Sequence, residues 1–321
     1  MPEPLPIGAN FKRAKVLWEV VLDIAGDPAT PYYGPRDICV TVGSGSGDTY
    51  KPYISMSTGS PILAHAAARR EIGFVFVNPS AMLTQAYRGT GLFREPLPLR
   101  AVFSYPSWDR FVVAMHPRTG LKSLAEVKDK RLPLRLSIRE DATHSTRVCT
   151  DQLLSFYGFT LEDLQSWGGT LQTNGGPGDK RRLNAIREGT VECVIDEGIT
   201  TWLKVALEHG FEPITLEDGV FEQMTALGWR RVKLPKTWDS HLAADHDCID
   251  YSGWPVYTSV DTPEEDVYKV CQALAARADE ISWEDTYEDV AQLGLDREAT
   301  PLDVPLHPGA AKWYREQGIS V

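Results

Sequence analysis

Short apolar runs alternate with helix-like segments along most of this chain, and the switch between them is repeatedly built from hydroxyls, asparagine and glycine. The stretches "ICVTVGSGSGDTY" (38–50), "STGSPILAHAAARREIG" (57–73), "FVFVNPSAML" (74–83) and "LRLSIREDATHSTRVCTDQLL" (134–154) all have this form. Apolar runs of four to eight residues read as buried strands, and the segments after them carry helical spacing with Ser, Thr or Asn placed to cap them. Such alternation predicts an α/β protein with largely parallel sheets. In an open sheet of this kind ligands collect beyond the carboxyl ends of the strands, where helix N-termini present unpaired N–H groups. Four junctions here are rich in polar groups: Ser44 to Thr49, Ser57 to Ser60, Asn78 to Ser80 and Thr143 to Thr146. Together they suit one anionic or polar small molecule.

The remaining pattern is consistent with this. Residues 10–25 place Phe11, Val16, Leu17, Val20, Val21 and Ile24 on one stripe, predicting an amphipathic helix packed on a core. Strands are expected on either side of Pro106 and Trp108, and at 132–138 and 191–195. Helices are expected after Ser123, from Thr143 to Thr146, at 179–188 and at 199–209, with a long helix at 263–280 and an acidic helical tail. The stretch 243–262 breaks the alternation with a loop and an aromatic-rich strand.

At 321 residues about two domains are expected. The net charge of −11, with no dense Lys/Arg block, argues against nucleic-acid binding. Five cysteines, Cys39, Cys149, Cys193, Cys248 and Cys271, are odd in number and far apart, which argues for buried free thiols rather than a disulfide framework. "GSGSGD" lacks the Lys-Ser/Thr of a P-loop and the later glycine of a dinucleotide fold, so no cofactor is expected. His241 and His246 in "HLAADH" are five apart and miss the spacing that puts two metal ligands on one helix face, so no metal is expected either. The N-terminal stretch lacks the pattern of an export leader. No run approaches the ~18 apolar residues of a membrane span or inserts directly into a bilayer.

Several segments in order resemble the TAXI family of TRAP-transporter solute receptors. "VGSGSGDTYKPY" resembles their first-strand loop, and "STGSPILAHAAARREIGFVFVNPSAMLTQAYRGTGLF" their next helix, strand and helix. "LAEVKDKRLPLRLSIREDATHSTRVCTDQLLSFYGFTLEDL" resembles the entry to their second domain, and "VPLHPGAAKWYREQG" their C-terminal signature. The resemblance implies a periplasmic-binding-protein-like type II fold with two α/β lobes, a cleft and a two-strand hinge. Lobe 1 would be 1–112 with 245–321, and lobe 2 would be 113–244. The hinge would run near Phe111 to Ala114 and near His241 to Asp250. Two departures stand out. No leader is evident, and only Lys51 to Ser57 separates the glycine loop from the "TGS" segment, where the family has a helix and a strand.

Carried over by position, Gly45, Gly47 and Tyr50 match the family's first loop and Thr58, Gly59 and Ser60 its second, which implies ligand contacts from Tyr50, Thr58 and Ser60, with Ser44 and Ser46 of the same junction, and Asn78 with Ser80 at the next strand end. In the second lobe it implies Thr143, His144, Ser145 and Thr146, with His144 standing where the family has glycine, and the Asp196-Glu197 turn. Arg110, Arg139 and Arg147 lie next to predicted cleft positions and offer guanidinium groups for a carboxylate. Trp108, Trp254 and Tyr257 are placed to close over an apolar part of the ligand. His307-Pro308-Gly309 reads as structural. The implied function is binding of a small organic acid, with delivery to a membrane permease in a transport role. Without a leader the chain would be cytoplasmic, and with a leader removed periplasmic. The alternative is a decarboxylase or other lyase on the same fold, in which His144 with Asp196 or Glu197 would serve as the electrostatic sink.

Overall fold

The computed structural model describes residues 15–16, 19–20, 38–46, 49–58, 60–105, 107–140, 142–277 and 300–321. The first sheet contains β1 (Ile38–Ser46), β2 (Thr49–Thr58), β3 (Phe74–Phe76) and β4 (Leu99–Tyr105). It is completed from far along the chain by β12 (Trp254–Ser259), giving the order β1-β2-β3-β12-β4. The second sheet contains β5 (Arg110–Met115), β6 (Arg135–Ser137), β7 (Thr170–Gln172), β8 (Cys193–Asp196), β9 (Glu212–Pro213), β10 (Arg231–Leu234) and β11 (His246–Asp250). Its order is β10-β11-β5-β8-β6-β7, with β9 also on β5.

Between the strands lie α1 (Leu63–Ala68), α2 (Ser80–Arg88), α3 (Leu124–Lys130), α4 (Ser145–Phe156), α5 (Leu161–Ser166), α6 (Lys180–Arg187), α7 (Ile199–Glu208) and α8 (Asp218–Leu227), with α9 (Glu264–Ala275) and α10 (Pro308–Glu316) at the end. Each sheet has the same device: one antiparallel strand at a crossover sits between parallel neighbours. In the first sheet β12 pairs antiparallel with both β3 and β4. In the second β5 pairs antiparallel with both β8 and β9. The chain leaves the first sheet after Tyr105, enters the second at Arg110, and returns between Asp250 and Trp254. Strands β5 and β11 lie side by side at these crossings, with Asp250 opposite Arg110. This is the two-lobed α/β arrangement of the periplasmic-binding-protein-like type II fold.

Local sequence explains most elements. All six residues of β5, "RFVVAM", are buried, as expected for a strand covered on both faces. Ser123 caps α3 through Glu126 N–H, and Thr160 with Asp163 forms a reciprocal capping box on α5. One apolar cluster runs through both lobes, joining Met82, Leu83 and Ala86 of α2 to Leu136, Leu153, Met224, Trp229 and Tyr251. A second lies under α7 around Val112, Val194 and Trp202, and a third joins Phe103 and Val256 to Val267, Trp313 and Tyr314. Each Val, Leu, Met or Phe among them contributes about 1.5–3 kcal/mol on burial.

The glycine-rich stretch does not form a loop at a strand's carboxyl end. Gly43 to Ser46 continue β1, which folds back antiparallel on β2 with Ser44 opposite Lys51, Gly45 opposite Tyr50 and Ser46 opposite Thr49. The residues from Lys51 to Ser57 are too few for a helix and a return strand, whereas an antiparallel pair needs a connection of only two residues. Within the expected helix at 10–25, Lys15 pairs with Glu19 at 3.7 Å, but Val16 and Val20 are 55% and 47% exposed rather than buried. Phe11, Leu17, Val21 and Ile24 of that stripe lie outside the described residues, as does the acidic tail. Cys39 is exposed, and the other four thiols are buried and free. The strand expected at 132–138 is confined to β6, where Pro133 breaks the ladder. His307 caps α10 by accepting from Gly309 N–H at 3.2 Å, and Glu264 O lies so close to Gly309 that a Cβ there would meet it at 2.3 Å.

Candidate functional site

Strand β6 runs parallel to both β7 and β8, so the carboxyl ends of all three share one edge. Arg139 follows β6, Gln172 ends β7, and Asp196 with Glu197 ends β8. Arg182, in the first turn of α6, reaches this edge and pairs with Asp196 while donating through Nε to Ser137 Oγ at 3.0 Å. Arg139 pairs with Glu197 and lies 3.6 Å from Asp196. The side chains of Arg182 and Asp196 are 2% and 0% exposed, so each charge depends on the other for its solvation. Donors remain over: Arg139 Nε, Arg147 Nε and Arg182 Nη2 are buried with no protein acceptor, and so is the acceptor Gln172 Oε1.

Beside this cluster the two lobes are tied at the start of α4. Ser145 Oγ donates to Asn78 O at 2.6 Å. That commits the only Ser145 hydroxyl proton, so the 2.6 Å contact with the Tyr251 hydroxyl has Tyr251 as donor. Tyr251 then accepts from Thr146 Oγ1 at 2.9 Å. The result is a directed chain, Thr146 to Tyr251 to Ser145 to the Asn78 carbonyl. Burial raises the Tyr251 phenol well above its ordinary range, which keeps its proton in place. The ring is stacked between Phe111 and Trp229, with centroids 6.4 and 6.3 Å away. Trp229 Nε1 donates to Gln152 Oε1 at 2.7 Å, and Gln152 Nε2 donates to Gln85 Oε1 of the first lobe at 3.0 Å.

The start of α7 already holds a carboxylate. Asp109 accepts from Gly198 N–H at 2.8 Å and Ile199 N–H at 3.4 Å. Gly198 takes a φ of 65°, and a side chain there would run into Pro177.

The expected site residues divide accordingly. Asn78, Ser145 and Thr146 come together, with Tyr251 between them. Arg139, Asp196 and Glu197 form the neighbouring charged cluster. Asn78 is not a helix cap: its Nδ2 donates to Gly253 O at 3.0 Å and binds the returning crossover. Ser80 and Ser60 are buried, with Ser80 N–H on Ser252 O and Ser60 O on Leu63 N–H. His144 caps α4, accepting from Thr146 N–H at Nδ1, and Thr143 is exposed. Arg110 is 2% exposed and bonds to Asp250, Ser252 and the carbonyls of Asp109 and Lys233, at 3.0–3.3 Å, where it fastens the two crossovers. Its guanidinium covers Trp108 at 4.3 Å. Trp254 is 39% exposed and packs edge-on against Phe76. Tyr257 is fully buried core.

One group separates from the rest. Because β1 is antiparallel to β2, and β2 is parallel to β3, the hairpin places Ser44, Ser46 and Tyr50 at the amino end of β2. Thr58 ends β2, and Ser60 and Asn78 follow the carboxyl ends of β2 and β3. Eight residues of extended chain, about 26 Å, separate Tyr50 from Thr58. The two loops therefore lie at opposite ends of β2. Sequence reasoning also missed Tyr251, Arg182 and Asp109. Tyr251 falls inside the stretch that broke the alternation, which was the one available signal.

Among solved structures, the chain is similar to one described as a periplasmic transporter, at 16% identity over 80% of this chain and 79% of that one, with a TM-score of 0.36. It is similar to an R. palustris protein solved with adipate, at 14% identity over 81% of each chain and a TM-score of 0.36. It is also similar to the L-cystine solute receptor of Neisseria gonorrhoeae in its unliganded open conformation, at 12% identity over 66% of this chain and 64% of that one, with a TM-score of 0.27. The model of the NMT1-like family matches residues 54–318, most of the sequence, from within β2 to past α10, and the chain belongs to that family.

Proposed function

We propose that this chain is a solute receptor of the TAXI type that holds a small organic acid between two lobes, lobe 1 being 1–112 with 245–321 and lobe 2 being 113–244. The observation that carries the reading is the convergence of Arg139, Arg182, Asp196 and Glu197 at the shared carboxyl edge of β6 and β8, beside the point where Asn78 meets Ser145. A buried guanidinium with an unfilled donor is a ready partner for a carboxylate, and exclusion of water strengthens that bond. Family membership supports the same reading, and a periplasmic setting with delivery to a membrane permease follows from it. Among the described residues no helix is long and apolar enough to cross a membrane. Ser60, Ser80 and Trp108 are proposed to line the approach to the site.

The Arg139–Glu197 pair favours a second reading, in which the ligand is a zwitterion. A simple carboxylate that takes Arg139 leaves Glu197, largely screened from water, without its partner, which costs free energy. A molecule with both a carboxylate and an ammonium inserts between the two and leaves neither alone. The lyase alternative has less support, because His144 spends Nδ1 on capping α4.

Calorimetric titration with succinate, glutarate, adipate, glutamate and cystine tests both readings. Binding of the diacids that is lost in Arg139→Gln supports the first, and binding of the amino acids that is lost in both Arg139→Gln and Glu197→Gln supports the second. Absence of binding across the panel overturns both.

A further inference from the structure

The returning crossover, Asp250 to Gly253, is hydrogen-bonded at every residue. Asp250 and Ser252 hold Arg110, Ser252 O accepts from Ser80 N–H, and Gly253 N–H donates to Ser107 Oγ at 3.0 Å. Tyr251 O and Gly253 O accept from Asn78, and Tyr251 N–H donates to Asp109 O at 3.1 Å. Only Tyr251 sends its side chain to the start of α4. A buried tyrosine needs one partner for its hydroxyl. Here the hydroxyl has two, both side chains of one helix turn, and the chain they form ends on a carbonyl of the other lobe.

We propose that Tyr251 is a built-in latch: its phenol bonds Ser145 and Thr146 at the α4 N-terminus, fixes the Ser145 hydroxyl on the Asn78 carbonyl, and so holds the two lobes closed in the absence of any ligand. Serial hydroxyl bonds in a dry site polarise one another, so loss of the middle member weakens the whole chain. It also strands Thr146 Oγ1, fully buried, without its acceptor. Opening the lobes would hydrate Thr146 and Ser145, so the variant gains most in the open state. The latch goes beyond solute binding and does not depend on it, because it acts in the ligand-free protein.

The test compares ligand-free wild type with Tyr251→Phe, which keeps the ring stacked on Phe111 and Trp229 and removes only the hydroxyl. Small-angle scattering reads the separation of the lobes, and amide hydrogen exchange reads the first turns of α2 and α4. The expected result is a larger radius of gyration and exchange faster by about tenfold at Ser80–Leu83 and Thr146–Cys149, the scale of one or two lost hydrogen bonds. Thr146→Val, which leaves Tyr251 intact, moves both readouts the same way by less, and keeps the test decisive if Tyr251→Phe does not fold. Tyr257→Phe is the control, since the Tyr257 hydroxyl is buried with no partner, and it changes neither. If Tyr251→Phe and Thr146→Val scatter and exchange as wild type does, or if Tyr257→Phe gives the same response, Tyr251 is an ordinary core residue and the latch is refuted. Failure of the solute panel would leave this result untouched.

Discussion

The Asp109 carboxylate, just before the strand that enters the second lobe, accepts from the backbone N–H of Gly198 at 2.8 Å. Gly198 is the first residue of α7's turn and has no side chain with which to cap the helix. Asp109 therefore caps α7 from across the sheet, with its negative charge at the positive end of the dipole. Asp109→Ala is expected to lower stability by about 1–2 kcal/mol, read as a shift in the urea midpoint with an unchanged slope. Asp109→Asn, which keeps an acceptor and loses the charge, should fall between. An Asp109→Ala midpoint equal to wild type would show that water replaces the cap at no cost.

Arg182 and Asp196 form the most deeply buried ion pair of the candidate site. Removal of Arg182 leaves the fully buried Asp196 with only Arg139 at 3.6 Å, which Glu197 already engages, so Arg182→Met alone should cost about 3–5 kcal/mol. Arg182→Met combined with Asp196→Leu should cost less than the single change, because no charge is left behind. Chemical denaturation of the two variants side by side decides the point, and additive losses would refute it.

Two histidines predict where acid weakens the fold. Burial lowers the pKa of His246, against a raising effect of Asp247, and burial also lowers that of His307, with Glu264 raising and Arg100 lowering. Both are therefore neutral in the fold more readily than in the unfolded chain, where they titrate near 6.5. As pH falls through that value the unfolded chain binds protons the fold refuses, and stability drops until the lower folded values are passed. His307 adds a structural reason, because a proton on Nδ1 removes the acceptor that caps α10. Melting temperature should be flat between about pH 7 and 8 and fall below about 6.5, with a shallower fall in His246→Gln. The lowered carboxyls of Glu192 and Asp247 contribute only at lower pH, below the ordinary carboxylate range.

Thiol chemistry should separate one cysteine from four. Cys39 is exposed, whereas Cys149, Cys193, Cys248 and Cys271 are buried, and burial raises their thiols, to about 12 for Cys248 and Cys271. A thiol-reactive dye should label one site in the native protein and five after unfolding in guanidinium. Native labelling of Cys149 would contradict the packing of α4.

The second lobe was largely legible in the sequence, because its signals are local. Ser123 and Thr143 to Thr146 mark helix starts, "VECVI" and "LRLSI" are apolar runs between helices, and parallel strands joined by helices keep partners near one another in the chain. The β1–β2 hairpin was not legible, since glycine and serine carry no two-residue alternation and pairing of Gly45 with Tyr50 is fixed by register alone. Asp109 as the cap of α7, and Tyr251 as the partner of Ser145, join residues remote in sequence. No spacing rule connects them. Arg110 looked like a ligand group because cation and cleft position coincided, and only the geometry reveals that Asp250, Ser252 and two carbonyls engage it.

The place of β12 between β3 and β4 also sets an order of assembly. Residues 110–250 contain every strand of the second sheet, so that sheet can form as soon as this stretch has left the ribosome. The first sheet cannot be completed, because Phe103 has no strand partner, and Phe76 none beyond Thr58 of β2, until Val256 is synthesised. Until then β3 and β4 present open edges, and the finished second lobe is the platform on which the last strand arrives.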